Sequence, residues 1–456
     1  MDAINPALFI PPVPPVPPVA LGLRAFLRAI RTNALGVFPD EAYRADMTVR
    51  HFLGRVTVVL NHPDLIHRVM VENHANYRRS PASIRILRPI TGQGLLLSEG
   101  ETWRLQRRTI APALAPRVMP MLARHIAATA QEAMDALARR IAAPVDLLAS
   151  MQNLTLEIAG RSMFSMEMGQ FGGDMRRMLT EFGEHHAQPH LLDMLLPISI
   201  PAPRDFGRRR FSQRWMALIE AMMAGRLREK EPEAPRDLFD LLRAARDPET
   251  GAGFSPAQLR DQVATLILAG HETTAVTLFW ALTLLAQVPA EQDRLAAEAA
   301  GLDLGPEGAA AAMPLLVRTR AVVNETLRLF PAAFTTAREA IAPEQLGDVL
   351  LPRHGIVMVA PWVLHRHRKF WRDPDAFDPG RFMPGEPAPR RFAFMPFGAG
   401  PRICVGAQFA LTEAILVLAA IMQRFEVALA GPRPVLPVAI VTTQPDHAPA
   451  FLVRAR

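Results

Sequence analysis

Phe397-Gly398-Ala399-Gly400-Pro401-Arg402-Ile403-Cys404-Val405-Gly406 sets the only cysteine of this 456-residue chain behind two glycines and a proline. An apolar run that reads as a helix from about 407 to 424 follows directly. Each part of the loop has a physical use. Glycine lets the backbone turn tightly and approach a flat ligand closely. Amides at a helix N-terminus lower a thiol's pKa and donate to its sulfur. A lone cysteine in so long a chain is ordinarily an inert core residue, so its surroundings decide. With one cysteine there is no intramolecular disulfide, which fits a reducing compartment.

Upstream, a serine cap with proline behind it, Ser255-Pro256, predicts a helix that runs through Leu285 and stops before Pro289. About 30 residues is long enough to cross a whole domain. Within it Ala269-Gly270-His271-Glu272-Thr273-Thr274 breaks an otherwise apolar stretch. Taken locally, Thr273 bonds back to a carbonyl one turn earlier and Glu272 faces solvent or a partner. A zinc reading of His271-Glu272 fails, because no second histidine stands where a His-Glu-x-x-His motif needs it. Glu325-Thr326-Leu327-Arg328 places acid and base on one helix face, where a surface ion pair is commonplace and worth little. Trp103 and Arg107, in Trp103-Arg104-Leu105-Gln106-Arg107-Arg108, likewise share a face.

Together these stretches resemble the cytochrome P450 family. The cysteine loop matches its Phe-x-x-Gly-x-Arg-x-Cys-x-Gly signature at every fixed position, and 269–274 matches Ala/Gly-Gly-x-Asp/Glu-Thr-Thr/Ser in full. As it stands, 269–274 is most similar to self-sufficient bacterial fatty-acid hydroxylases and microsomal members. The motifs run in family order from Trp103 to Gly406.

The resemblance implies a mainly α fold with a small β region, the triangular helical prism that holds haem b between the long central helix and the cysteine-loop helix. It makes Cys404 the thiolate ligand of the iron, a donor that favours O–O cleavage. Phe397 lies near the sulfur and Gly406 closes the loop. Arg402, Trp103, Arg107 and Arg338 reach the haem propionates, a task suited to the rigid fork of a guanidinium. On the distal side Gly270 leaves room for dioxygen, Thr273 hydrogen-bonds it, and Glu272 relays the protons that heterolytic cleavage requires. Glu325, Arg328 and Arg381 form a buried triad that steadies the cysteine loop.

The implied reaction is monooxygenation, by hydroxylation or epoxidation, of an apolar small molecule with O2 as co-substrate. The chain ends about 50 residues after Cys404. A separate ferredoxin or flavodoxin and its reductase are therefore expected to bring electrons from NAD(P)H. Two other enzyme readings, a peroxide-dependent or an isomerising thiolate-haem protein, would make the acid–alcohol pair dispensable. A haem-based gas sensor would be expected to carry an output domain, and none is visible. Fatty acids, terpenoids and alkylated aromatics all remain open as substrates, with Phe334 and the region 84–97 expected to line the pocket.

The rest of the sequence bounds this reading. Half of the residues are apolar, the formal charge is +7, and Lys230 and Lys369 are the only lysines. The arginines are spread through helices without forming a tail, which argues against nucleic-acid binding. Met1-Asp2-Ala3 has no basic leader, and the run Pro11–Pro18 excludes a signal-peptide core. No uninterrupted apolar run of about 18 residues predicts a membrane span. A soluble, cytoplasmic monomer is expected, with residues 1–20 as a proline-rich lead-in and 21–456 as a single catalytic domain. An amphipathic helix follows the lead-in, with Leu23, Phe26, Leu27 and Ile30 against Arg24, Arg28 and Arg31, and is expected to pack on the body. Further helices are expected near 63–74, 101–115, 118–141, 151–166, 172–187, 205–230 and 315–329, and strands at 47–60, 334–341 and 355–360. Arg104 and Arg108 are expected to help dock an acidic electron donor, and His365-Arg366-His367 to form a solvated basic helix.

Overall fold

A computed structural model describes residues 8–456 apart from 53, 142, 167 and 231. The leader reading at Met1-Asp2-Ala3 lies outside the described residues. At the centre is the helix Pro256–Leu285. Ser255 caps it reciprocally: its hydroxyl accepts from the Gln258 amide at 3.3 Å, and the Gln258 side chain accepts from the Ser255 amide at 2.9 Å. From Ala275 to Leu285 every residue is buried, as expected of a helix that is covered all round. Pro289 does more than stop it, because it opens the next helix, Pro289–Ala299, at a first-turn position where a missing N–H costs nothing.

Two apolar cores meet on this helix. Val263 to Leu268 belong to one core with Trp103, Phe211 and Trp215. Ala275 to Leu285 belong to another with the cysteine-loop helix Ala407–Arg424. The seam between them is 269–274, where Ala269 is exposed and Gly270 half-buried between two covered stretches. The sequence motif therefore stands where the helix is open.

A third core lies under a five-stranded sheet. Across the sheet the order is Met47–Phe52, Arg55–Leu60, Ile356–Val359, Thr336–Ala340, Tyr77–Arg79. All pairs are antiparallel except 55–60 with 356–359, where Thr57 stands opposite Ile356. Near the C-terminus a hairpin joins Pro437–Ala439 to Thr443–Pro445. Phe425–Leu429, Ala450–Ala455 and Val145–Asp146 form a further sheet. The proline run lies along the body: the Asp40 amide donates to the Pro17 carbonyl and that of Phe377 to the Phe9 carbonyl, at 2.9 and 2.8 Å. The amphipathic helix Leu23–Thr32 packs Phe26 and Leu27 on the core shared with the cysteine-loop helix, as expected.

The expected solvated helix at His365–His367 is instead interior. His365 and His367 are fully buried, and Arg366 stacks on Trp362 with 3.7 Å to the ring centroid. His365 accepts the Met395 amide at 2.8 Å, and the His367 ring pairs with the Ala45 carbonyl at 3.1 Å. Polar residues at loop spacing look solvated in sequence, but here they tie the loop 373–403 to the body. Burial holds His365 near pKa 3 and His271 near 4. Unfolded, each titrates near 6.5, so below that pH the unfolded state binds more protons and stability falls with falling pH. Each histidine is expected to cost about 2 kcal/mol between pH 7 and pH 5. Urea midpoints at the two pH values measure this, and His365→Gln should flatten the slope.

Candidate active site

The cysteine loop is shaped by its glycines. Gly400 has φ +70°, and a Cβ there would collide with the Met70 carbonyl, so only glycine permits this approach. Gly398, at φ +74°, has open space around it. The Cys404 amide donates to the Phe397 carbonyl at 2.9 Å, and Gly406 caps the helix Ala407–Arg424. Cys404 keeps accessible surface although its neighbours crowd it. Burial pushes its thiol pKa up, while the Gly406 amide and the charge of Arg107 pull it down.

Four of the expected arginine and tryptophan positions converge here. Arg107 donates to the Ile403 carbonyl at 2.8 Å, and Arg402 lies over the Trp103 ring, 4.4 Å from its centroid. Arg402 pairs with Glu99. Arg338, buried in its strand, finds only Thr336 and the Ala337 carbonyl among the described residues. A residue that motif reading passed over completes the cluster: Arg79 stands directly opposite Arg338 across the strand pair. Its Nε has no partner among the described residues, and its amide donates to Glu99 at 2.8 Å. Desolvation, then Arg338 and Arg402, press the Arg79 pKa well below its ordinary value. Desolvation and Arg402 hold Arg338 near 10. Like charges facing each other across strands are destabilising. Three guanidinium groups around one carboxylate leave two positive charges unmatched.

On the central helix, Gly270 has nothing within 4 Å of where a Cβ would stand. Thr273 donates back to the Ala269 carbonyl at 2.5 Å, which is the local helical reading. Glu272 turns away to the C-terminal hairpin, bonded by Thr442 at 2.9 Å and Gln444 at 2.7 Å. Desolvation raises its pKa against the pull of those two bonds. The structure therefore holds the acid and the alcohol apart. Behind them Glu413, wholly buried on the cysteine-loop helix, faces Thr274 without a well-formed hydrogen bond. Burial drives its pKa well above the carboxylate range.

The structural residues fall where the motif order placed them. Glu325 and Arg328 are fully buried and bidentate at 2.7 and 2.8 Å. Arg328 also donates to the carbonyls of His365, Pro374 and Ala376, and Arg381 approaches Glu325 at 3.5 Å.

A family model described as Cytochrome P450 matches residues 14–447. The chain belongs to the cytochrome P450 family. Cyclooctatin synthase of Streptomyces melanosporofaciens is 33% identical over 371 residues, 80% of this chain and 79% of that protein. Cyclooctat-9-en-7-ol 5-monooxygenase of the same organism is 30% identical, covering 80% and 78%. Among solved structures the cytochrome P450DA heme domain superposes with a TM-score of 0.78 at 26% identity, covering 90% of each chain. The chain is thus a cytochrome P450 monooxygenase, whose family uses haem and O2 and takes electrons from redox partners.

The residues present fit haem. A dianionic edge would neutralise the two unmatched guanidinium charges and explain the Arg79–Arg338 pair, and an accessible sulfur beside a helix N-terminus suits an iron ligand. No group of three or more His, Cys, Asp or Glu side chains able to hold a metal ion exists among the described residues. Arg108 is bound by Asp247 at 2.9 and 3.1 Å, and Glu249 lies 3.1 Å away. Both it and Arg104, which pairs with Glu101 at the surface, keep part of their side chains exposed. Phe334 is buried in the core beside the central helix. No sequence signal marked Arg79 or Glu413, whose roles depend on strand register and helix contact.

Proposed function

We propose that this chain inserts one atom of O2 into an apolar alicyclic small molecule of terpenoid type, with haem b held by Cys404. Bound haem supplies the iron centre at which dioxygen is activated. Cys404 would ligate the iron, with Phe397 and Gly406 shaping the loop. Arg79, Arg338 and Arg402 would hold the propionates, together with Trp103 and Arg107. The observation that carries this reading is the surplus of buried guanidinium charge beside an accessible, sole cysteine.

The reaction balances as substrate, O2, two electrons and two protons giving oxygenated product and water. Gly270 leaves open space on the central helix. Thr273 donates toward that space once its hydroxyl leaves the Ala269 carbonyl, and Glu272 supplies the proton that replaces the one donated. Partly exposed Ile86 and Leu87 from helix Pro81–Thr91, Leu266 one turn before Gly270, and Val441 at the hairpin tip are apolar and pack on the core of Trp103, Phe211 and Trp215. They support an apolar substrate. The alicyclic skeleton rests on the relative named for cyclooctat-9-en-7-ol, an unsaturated cyclic alcohol. We assign the electron supply to a ferredoxin or flavodoxin reduced through NAD(P)H.

The test is turnover of alicyclic alkenols with a reconstituted donor under isotopically labelled dioxygen. Label in both product and water supports the reading, and turnover with peroxide alone, indifferent to dioxygen, would favour the peroxide-dependent alternative. In the same assay Thr273→Ala is expected to lower product formation about a hundred-fold while electron consumption continues. Unchanged coupling of the two would contradict the role given to Thr273.

A further inference from the structure

The C-terminal hairpin does more than close the fold. Its Thr442 hydroxyl donates to Glu272 Oε1 at 2.9 Å, and the Gln444 amide donates to the same oxygen at 2.7 Å and to the Thr442 hydroxyl at 3.1 Å. Thr443 between them is anchored three times. Its amide donates to Ala332, its hydroxyl to the Pro331 carbonyl at 2.7 Å, and its carbonyl accepts from Trp280 Nε1 at 2.8 Å. Trp280 lies seven residues beyond Thr273, on the same face of the central helix. The hairpin is thus fastened to the helix that carries the acid.

We propose that Thr442 and Gln444 are positioning residues for Glu272, which they hold as a neutral acid with both donors on Oε1 and the proton on Oε2. Among the described residues no hydrogen bond reaches Oε2. A carboxylate in this setting would call for a cation, and none faces it among the described residues. His271, on the same helix, points to the Gln152 carbonyl and is kept neutral. Glu413, on the cysteine-loop helix, faces Thr274. Asp446 and His447, just beyond Gln444, pair with each other, and Asp446 also pairs with Arg433. Burial, opposed by the two hydrogen bonds, raises the Glu272 pKa, in agreement with the geometry. The acid therefore stores its proton away from Thr273 and delivers it by leaving the hairpin.

The inference rests on Glu272 being the proton donor of the reaction, so its test reads protonation directly. In the full-length, haem-loaded protein, infrared difference spectra between Glu272→Gln and wild type isolate the carbonyl band of a neutral acid at neutral pH, with Glu413→Gln assigning the second buried acid. Gln444→Leu, which removes one donor, is expected to move the Glu272 band to higher wavenumber. Gln444→Lys, which brings a cation to Oε1, should abolish it. Thr442→Ser, which keeps the hydroxyl, should leave it in place, and an unchanged carbon-monoxide spectrum certifies the fold of each variant. An ionised Glu272 in the wild type, or a band indifferent to both Gln444 variants, overturns the proposal. Wild-type turnover in Glu272→Gln with the band shifts intact would instead overturn only the catalytic reading of the acid.

Discussion

Cys404→Ala abolishes the strongly red-shifted Soret band of the dithionite-reduced protein under carbon monoxide, and with it monooxygenation. The chain has no second cysteine to take over, and thiolate donation is what separates this ligation from a histidine-bound haem. The arginine cluster does not depend on the sulfur. Arg79, Arg338 and Arg402 keep their places on the strands and on the segment 400–402. The variant should therefore still take up some haem, with an unshifted band, and show the fold of the wild type. A red-shifted band that survives the substitution would remove Cys404 from the site.

The second large effect is on stability. Glu325→Ala leaves the Arg328 guanidinium fully buried with its carbonyl partners and no counter-charge within bidentate reach. Breaking one partner of a buried pair costs about 3–5 kcal/mol, a large share of the roughly 5–15 kcal/mol that hold a protein folded. The damage should spread to the cysteine loop. The Asp378 amide bonds Glu325 at 2.8 Å, and Arg328 holds the carbonyls of Pro374 and Ala376. Haem retention is expected to fall together with the urea midpoint. Replacing the pair jointly by Leu and Met should restore much of the stability, but not the anchoring of 374–378. A loss under about 1 kcal/mol for Glu325→Ala would show the pair to be no better than a surface one.

Legibility followed the range of the interactions involved. Ser255-Pro256 announced the central helix because caps act within four residues. The helix Ala407–Arg424 was plain because its apolar character is local. The cysteine loop, Gly270, Glu272 and Thr273 stood out because polar and glycine residues interrupt apolar runs there. Arg79 did not, since its meaning comes from facing Arg338, which is far away along the chain. His365-Arg366-His367 read as solvated because composition cannot tell a surface loop from one that a neighbouring segment covers. The helix Pro81–Thr91 was missed as well. Pro89 inside it reads as a break, yet the helix continues through it and packs on the central one, and the Trp215 indole donates to its Ile90 carbonyl at 2.8 Å.

The sheet that carries Arg79 and Arg338 also dictates an order of events in the cell. Arg55–Leu60 pairs along one side with Met47–Phe52, a neighbour available at once. Its other side waits for Ile356–Val359, nearly 300 residues later. At a ribosome's pace of about 5–20 residues per second, that is roughly 15–60 s during which a nascent hairpin shows an unpaired strand edge. Until the C-terminal half emerges, the partner strand that would quench it does not exist. Soluble yield should therefore depend on chaperone supply during translation more than on the stability of the finished enzyme.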